Sequence, residues 1–342
     1  MTSLLGIALL PALAWLLSID RGAVNWRTVG GAFALQALMG GLVLYLPLGK
    51  SGLEGLAGGV DSVLGYSRAG IEFMFGPAVD TNFGFVFAFN VLPVIVFFAS
   101  LVAVLYHVGI MGWVIRLLGG LLQRVLHTSR PESLSAAANV FIGQTEAPLV
   151  ARPFIATMTL SELFAIMVGG MATIAGSVMA GYAAIGVELK YLIAASFMAA
   201  PGGLAMAKIV VPETGTPKDD LAQLDDAEIQ PSVNIFDAAA SGALSGLQIA
   251  LAVGAMLVAF TALIALVNGI VGGLGSAAGV DGLTIEVAFG WLLQPVAWAL
   301  GVPWSEANVA GSLIGQKVVL NEFIAYFAFA EVKEGLSEGT QA

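Results

Sequence analysis

Cysteine is absent from the 342 residues, so disulfides, thiolate metal centres and a cysteine nucleophile are excluded, and cysteine usage reveals no redox compartment. Charge is scarce as well. Asp, Glu, Lys and Arg together make up 11% of the chain, against roughly one quarter in soluble domains. Histidine occurs twice, at His107 and His127. His107 falls within an apolar run, where a packed core role is expected, and His127, beside Arg124 and Arg130, reads as interfacial. Two separated imidazoles build no metal cluster, and without a G-x-S-x-G elbow they do not furnish a serine hydrolase. The chain also lacks a P-loop, an H-E-x-x-H pair and a phosphate-binding glycine loop, which argues against internal coupling to ATP and against zinc hydrolysis.

What is present is hydrocarbon. The chain is 58% hydrophobic with a mean hydropathy of +0.92, the composition of a polytopic membrane protein. Its 43 glycines suit close helix packing and broken helices in lipid. The net charge of −10 comes mostly from loops. Glu213, Asp219, Asp220, Asp225, Asp226 and Glu228 form one acidic stretch, read as a solvated linker. The N-terminal run Leu4 to Leu17 has no basic flank and no evident cleavage site, so it reads as a retained span.

A spanning helix needs about 20 mostly apolar residues, and on that measure spans are predicted near 3–18, 28–48, 88–118, 160–187, 190–211, 243–270 and 304–330. Residues 52–76 are too polar to span but amphipathic enough to lie along the interface. Two further apolar stretches, 131–158 and 281–303, are each split near the middle by proline or polar residues. Arms of about 12 residues reach about 18 Å at 1.5 Å per residue, roughly half the hydrocarbon core. Re-entrant hairpins are therefore expected. The patterns Ser129-x-x-Glu132 and Thr159-x-x-Glu162 predict capped helix starts on either side of the first one.

With the N-terminus outside, Arg21, Arg27, Arg116, Arg124, Arg130, Lys208, Lys218 and Lys333 fall on the cytoplasmic side, and Lys50, Arg68 and Lys190 outside. Arg152 and Lys317 lie within membrane segments. That bias has the sign of the positive-inside rule. The two hairpins then enter from opposite faces, as in transporters built from inverted repeats. The expected fold is thus an all-α polytopic membrane protein, an inverted-repeat transporter with two re-entrant helical hairpins and partly unwound transmembrane helices. Its expected parts are an N-terminal scaffold over 1–128, a first hairpin with following helices over 129–212, an acidic cytoplasmic loop at 213–232, a scaffold helix over 233–272, and a second hairpin with its following helix over 281–332.

Three polar constellations stand inside this apolar frame. Gln144, Thr145 and Glu146 sit at the predicted tip of the first hairpin, with Pro148 opening the returning arm. Unpaired backbone at membrane depth is tolerated only where protein or a water-filled cavity surrounds it, and an ionisable residue there is a functional candidate by default. The bland alternative is that these side chains cap the hairpin's own backbone. Further on, Lys317 and Asn321 are placed four apart on one helical face, followed by Glu322. A Lys317–Glu322 charge pair that only glues helices is the alternative there. In residues 171–181, Ala172, Gly176 and Ala180, and likewise Thr173, Ser177 and Gly181, give small faces for close packing. If the helix unwinds there, Thr173 could offer oxygens to a cation, and oxygen donors suit a hard alkali ion.

The stretches "GQTEAPLVARPF" and "NVAGSLIGQKVVLNEFIAY" resemble the concentrative nucleoside transporters, and the resemblance runs over essentially the whole chain. It implies a homotrimer whose subunits each carry a scaffold and a moving transport domain, with a nucleoside and a sodium ion as ligands. Carried over by position, Gln144 and Thr145 would hydrogen-bond the nucleobase, Glu146 would act nearby through water, Val178 would pack on the base, and Glu322 would accept hydrogen bonds from ribose hydroxyls. Sodium, the implied coupling ion, would fall on Asn139, Ile142, Thr173 and Ile174, partly through backbone carbonyls. Thr173 stands where the family often has serine and keeps the hydroxyl. The family has a further span with a G-F-A-N-x-x-S-like motif after the glutamate helix, which is not found up to residue 342, so a shortened sequence is expected.

The resulting expectation is sodium-coupled symport of nucleosides across the cell membrane by alternating access. Nucleoside and lipid are the expected partners, with no nucleic acid. The rivals are a nucleoside-binding gate or sensor that moves nothing, a proton-coupled transporter, and a membrane enzyme using Glu146 and Glu322 as an acid/base pair.

Overall fold

In the computed structural model residues 2–79, 86–144, 147–217 and 232–341 are described, and among them the secondary structure is helical, without strands. The protein is an all-α polytopic membrane protein. Phe87–His107, Leu189–Val210 and Ile235–Ala277 are each long and apolar enough to cross a bilayer, and two bent helix pairs raise the candidates to five. Apolar side chains such as Leu251, Val258 and Leu266 stand exposed along the last of these helices, as suits a surface solvated by lipid tails.

The chain opens with α1 (Thr2–Leu16), α2 (Trp26–Tyr45), α3 (Pro47–Gly65) and α4 (Ser67–Phe75). Asn25 caps α2 by accepting from the N–H groups of Arg27 and Thr28 at 3.1 and 3.4 Å. Pro47 starts α3 at a position where its missing N–H is harmless. The short α5 (Phe87–Asn90) leads into α6 (Leu92–His107) and α7 (Ile110–Leu126). The sequence reading had one span over 88–118. Gly109, at φ 86°, divides it instead, because a left-handed residue cannot continue an α-helix. His107 ends α6 and is exposed, so it is not the packed core histidine expected from its apolar neighbours.

Next come α8 (Arg130–Asn139), the 3₁₀ segment Ala147–Thr157, α9 (Leu160–Ala172), α10 (Gly176–Ala184) and α11 (Leu189–Val210). The predicted capping box at Thr159 forms in full: the Glu162 N–H donates to Thr159 Oγ1 at 3.1 Å, and the Thr159 N–H to Glu162 Oε2 at 2.7 Å. The one predicted at Ser129 does not, and Ser129 makes no side-chain cap. Its glutamate is drawn to a lysine instead. The apolar run 160–187 is two helices, so the small-residue stripes expected over 171–181 do not lie on one continuous face.

The last elements are α12 (Ile235–Ala277), α13 (Ile285–Leu300), α14 (Trp304–Val319), α15 (Glu322–Val332) and the short α16 (Glu338–Gln341). At 43 residues α12 extends well beyond the predicted 243–270. The stretch 281–303 is not split at its middle. α13 runs unbroken past Gln294 and Pro295. It then bends by 114° into α14, where Gly301 takes φ 112° and the backbone continues through Pro303. The predicted span 304–330 is likewise two helices, parted at Leu320 and Asn321.

The chain forms two compact units. The larger comprises 13–183 and 188–250, and the smaller 1–12, 184–187 and 251–342. In the larger unit the main core gathers Ile115, Leu122 and Leu126 of α7, Leu134 and Ala138 of α8, Ala165 of α9 and Leu204 of α11. In the smaller unit glycines bring α13 and α14 together. A Cβ on Gly315 would lie 2.5 Å from Phe289 Cβ, and one on Gly311 2.8 Å from the Gln294 nitrogen. Only glycine allows that approach.

Candidate functional site

Within the larger unit the first hairpin region meets the break in the helix that follows. α8 ends at Asn139, and the chain turns with the N–H groups of Phe141 and Ile142 donating to the Ala138 carbonyl at 2.9 and 3.0 Å. Beneath this turn α9 carries a glycine pair. A Cβ on Gly169 would lie 3.2 Å from Asn139 Nδ2, and one on Gly170 3.0 Å from Gln144 Cβ. Thr173 then ends α9 in extended backbone, φ −105° and ψ 157°. α10 begins at Gly176, where a Cβ would sit 2.2 Å from the Phe141 carbonyl oxygen. The glycines let the turn lie directly on the unwound segment.

Asn139 is fully buried, and neither its Oδ1 nor its Nδ2 has a partner among the described residues. Leaving such a group unanswered costs about 1–3 kcal/mol. Buried Ile142 follows it in the turn, and Gly169, which lies against it, is four residues before Thr173 in the break after α9. Thr173 Oγ1 donates its hydrogen to the Gly169 carbonyl at 2.9 Å, which keeps the oxygen's lone pairs available. The Ile174 carbonyl accepts a long 3.5 Å contact from Ser196 Oγ. Amide, hydroxyl and main-chain carbonyl oxygens are neutral hard donors, so these residues fit an alkali cation. No group of three or more His, Cys, Asp or Glu that could hold a metal occurs among the described residues. Gln144 is exposed on the turn and Val178 half-buried in the first turn of α10. Thr145 and Glu146 lie outside the described residues.

In the smaller unit Glu322 is the first residue of α15 and half-buried. Asn321 caps that helix, accepting from the Ile324 N–H at 3.0 Å. Asn321 therefore does not share a helical face with Lys317, as spacing had suggested, because α14 has already ended at Val319. Lys317 is exposed and forms no ion pair with Glu322. The carboxylate stands at a helix N-terminus, where the macrodipole favours the anion, and remains able to accept hydrogen bonds.

A second polar cluster escaped the sequence reading. Lys208, placed there in the positive-inside count, has its side chain 7% exposed and reaches Glu132 Oε1 at 2.5 Å, Ser161 Oγ at 2.8 Å and Glu213 Oε2 at 3.4 Å. Thr159 Oγ1 also donates to Glu213, at 2.9 Å, so the first residue of the acidic loop is bound rather than solvated. Asp219, Asp220, Asp225, Asp226 and Glu228 fall outside the described residues. Neither a capping-type Ser-x-x-Glu nor a lone lysine near a span end signals such a cluster. The close α13–α14 contact, by contrast, had a legible signal in Gly311-x-x-x-Gly315.

Comparison with known proteins gives a consistent picture. Residues 191–342 match the family model described as Na+ dependent nucleoside transporter C-terminus, residues 5–78 its N-terminal counterpart, and residues 88–188 one described as nucleoside recognition. An uncharacterized transporter of Haemophilus influenzae is 52% identical over 97% of this chain and 80% of its own length. The nucleoside permease NupC of Helicobacter pylori is 49% identical over 95% of this chain and 78% of its own length. The human sodium/nucleoside cotransporter 1 is 39% identical, and the chain spans 52% of it. Among solved structures, CNTnw in an inward-facing substrate-bound state superposes with a TM-score of 0.95 at 54% identity, over 99% of this chain and 83% of the other. A CNTnw variant in an outward-facing state gives 0.96.

Proposed function

The chain belongs to the Na+ dependent nucleoside transporter family, and from that premise we propose that it carries nucleosides across the membrane in symport with sodium by alternating access. The family is one of transporters, not enzymes. The observation that carries the sodium part of the proposal is the buried, unpartnered amide of Asn139 beside the break that follows Ala172. Asn139 Oδ1 and Thr173 Oγ1, with carbonyls of Ile142, Thr173 and Ile174, form the ion's ligand set. A bound cation supplies the positive charge that answers the Asn139 oxygen and draws α8 onto α10.

In the same proposal Gln144, Thr145 and Glu146 read the nucleobase, Val178 packs on it, and Glu322 accepts from the ribose hydroxyls. A carboxylate accepting from hydroxyls forms hydrogen bonds about twice as strong as neutral ones, and a nucleoside offers that pair of groups only through its sugar. The assembly is a homotrimer. Glycine packing supports motion by rigid elements, since backbone-on-backbone contacts slide with little side-chain repacking.

Uptake of radiolabelled uridine and adenosine into proteoliposomes is the test. Accumulation against a gradient is expected under an imposed inward sodium gradient, and not under an equal proton gradient with sodium absent. Binding without accumulation would establish a gate or sensor instead, and proton-driven accumulation a different coupling ion.

A further inference from the structure

One face of α8 carries polarity of which the sodium ligands account only for Asn139 and the nucleoside contacts for none. Ser129, Glu132, Ser135 and Asn139 recur every three or four residues, so they lie on one side of the helix and its cap. All four are buried. Ser129 Oγ, Glu132 Oε2, Ser135 Oγ and both polar atoms of Asn139 lack a protein partner. The side bearing Leu134 packs on α7, with Leu134 Cδ2 only 2.9 Å from the position of a Cβ on Gly119.

Facing the polar side is α9. Near one end Lys208 Nζ joins Glu132 to Ser161, and near the other Gly169 lies against Asn139. The two helices therefore run parallel, with the interval from Glu132 to Asn139 alongside that from Ser161 to Gly169, about 10 Å at 1.5 Å per residue. Glu162 contributes a further buried and unpartnered oxygen, Oε1, at the Lys208 end.

A single unanswered polar atom is a local imperfection, but a row in helical register is a structural feature. At about 1–3 kcal/mol each, a dry row would consume much of the roughly 5–15 kcal/mol by which a fold is stable. Native proteins answer such groups with ordered water. We infer that the seam between α8 and α9 is a hydrated path, holding a file of water and admitting a monovalent cation between the Lys208–Glu132–Glu162 cluster and Asn139. Carboxylate, hydroxyl and amide oxygens are the groups that replace water around an alkali ion. At the Lys208 end Glu132, Glu162 and Glu213 outnumber the one ammonium, which makes that end attractive to cations. Use of the path by the coupling ion rests on the sodium reading above; hydration of the seam does not.

The absence of native cysteine makes the test clean. Ser135→Cys and Ala137→Cys are each prepared in the full chain, reconstituted and treated with 2-aminoethyl methanethiosulfonate in sodium-free buffer. Both positions are buried, 0% and 1% exposed, but Ala137 lies with Leu134 on the side of α8 away from the polar row. Since thiol reactivity follows solvent access, Ser135→Cys is expected to react at least about tenfold faster. Addition of sodium, but not potassium, slows it. Equal rates at the two positions overturn the hydrated seam. Ser135→Ala gives an independent reading: a dry, unpaired hydroxyl is relieved by alanine and raises Tm, whereas a water ligand is lost and lowers it, so a raised Tm also overturns the proposal. Labelling indifferent to sodium, in a chain whose uptake still requires sodium, removes the ion from the path. Uptake that ignores sodium removes the coupling reading itself while leaving the contrast between the two positions intact.

Discussion

Asn139 shows how much a single side chain can carry in a chain this apolar. Its amide is enclosed by its own unit and bonded to nothing in the protein, so a ligand has something to answer. Thr173 is its partner in the proposed ligand set. Thr173→Ala deletes one oxygen from the proposed ligand set, and a methyl group with it, while keeping the backbone carbonyl, and an interaction of about 1 kcal/mol corresponds to about a fivefold shift in affinity. The sodium concentration for half-maximal uptake should therefore rise several-fold with maximal uptake little changed. An unaltered sodium dependence would place the ion elsewhere. Glu322 is the corresponding residue of the smaller unit. Hydrogen bonds to a charged group contribute about 1.5–3 kcal/mol, so Glu322→Gln should lower nucleoside affinity at least about tenfold. Because the side chain is only half-buried and pairs with no cation, thermal stability of the purified protein should hardly move. Uptake at the unsubstituted level would end the ribose assignment.

At the scale of elements, backbone breaks matter more than helices. The break between α9 and α10 is occupied by the Phe141 carbonyl, which a Cβ on Gly176 would approach to 2.2 Å. Gly176→Ala must push the turn after α8 off the unwound segment, since a carbonyl cannot rotate aside as a flexible side chain would. Sodium-dependent uptake should fall far more than the yield of folded, membrane-inserted protein, as measured by fluorescence-detected chromatography. Normal uptake would mean that the turn does not bear on the site. The sequence announced some of these breaks and hid others. Thr159 and Glu162 were legible as a capping box because capping is local chemistry. Ser129 and Glu132 have the same pattern and form no box, because a lysine 76 positions away takes the glutamate. Likewise Gln294 and Pro295 looked like an interruption, yet the bend lies at Gly301, the residue that can take φ 112°.

For the whole molecule, coupling between ion and nucleoside is a free energy shared by two binding events. If sodium tightens nucleoside binding by some factor, nucleoside must tighten sodium binding by the same factor. Titrating each ligand at several fixed concentrations of the other should return one coupling factor from both directions, by calorimetry on the detergent-solubilised protein. A factor of one would mean that ion and nucleoside bind independently, which ends the coupling. Lys208 and its two carboxylates, Glu132 and Glu213, show the same interdependence within one unit, since breaking a buried pair strands a charge and typically costs about 3–5 kcal/mol.

The sequence by itself determined the solvent of this protein, its helical class and, through two long motifs, its family. Those are properties of composition and local pattern, which the chain carries wherever it is folded. Tertiary structure decided which helices break and where, that Asn139 is enclosed with its amide unanswered, that Asn321 caps α15 instead of sharing a face with Lys317, and that Lys208 is buried among Glu132, Ser161 and Glu213. The enclosure of Asn139 and the Lys208 cluster depend on residues far apart in the chain. Burial and pairing belong to the packed chain, and no spacing along the sequence records them.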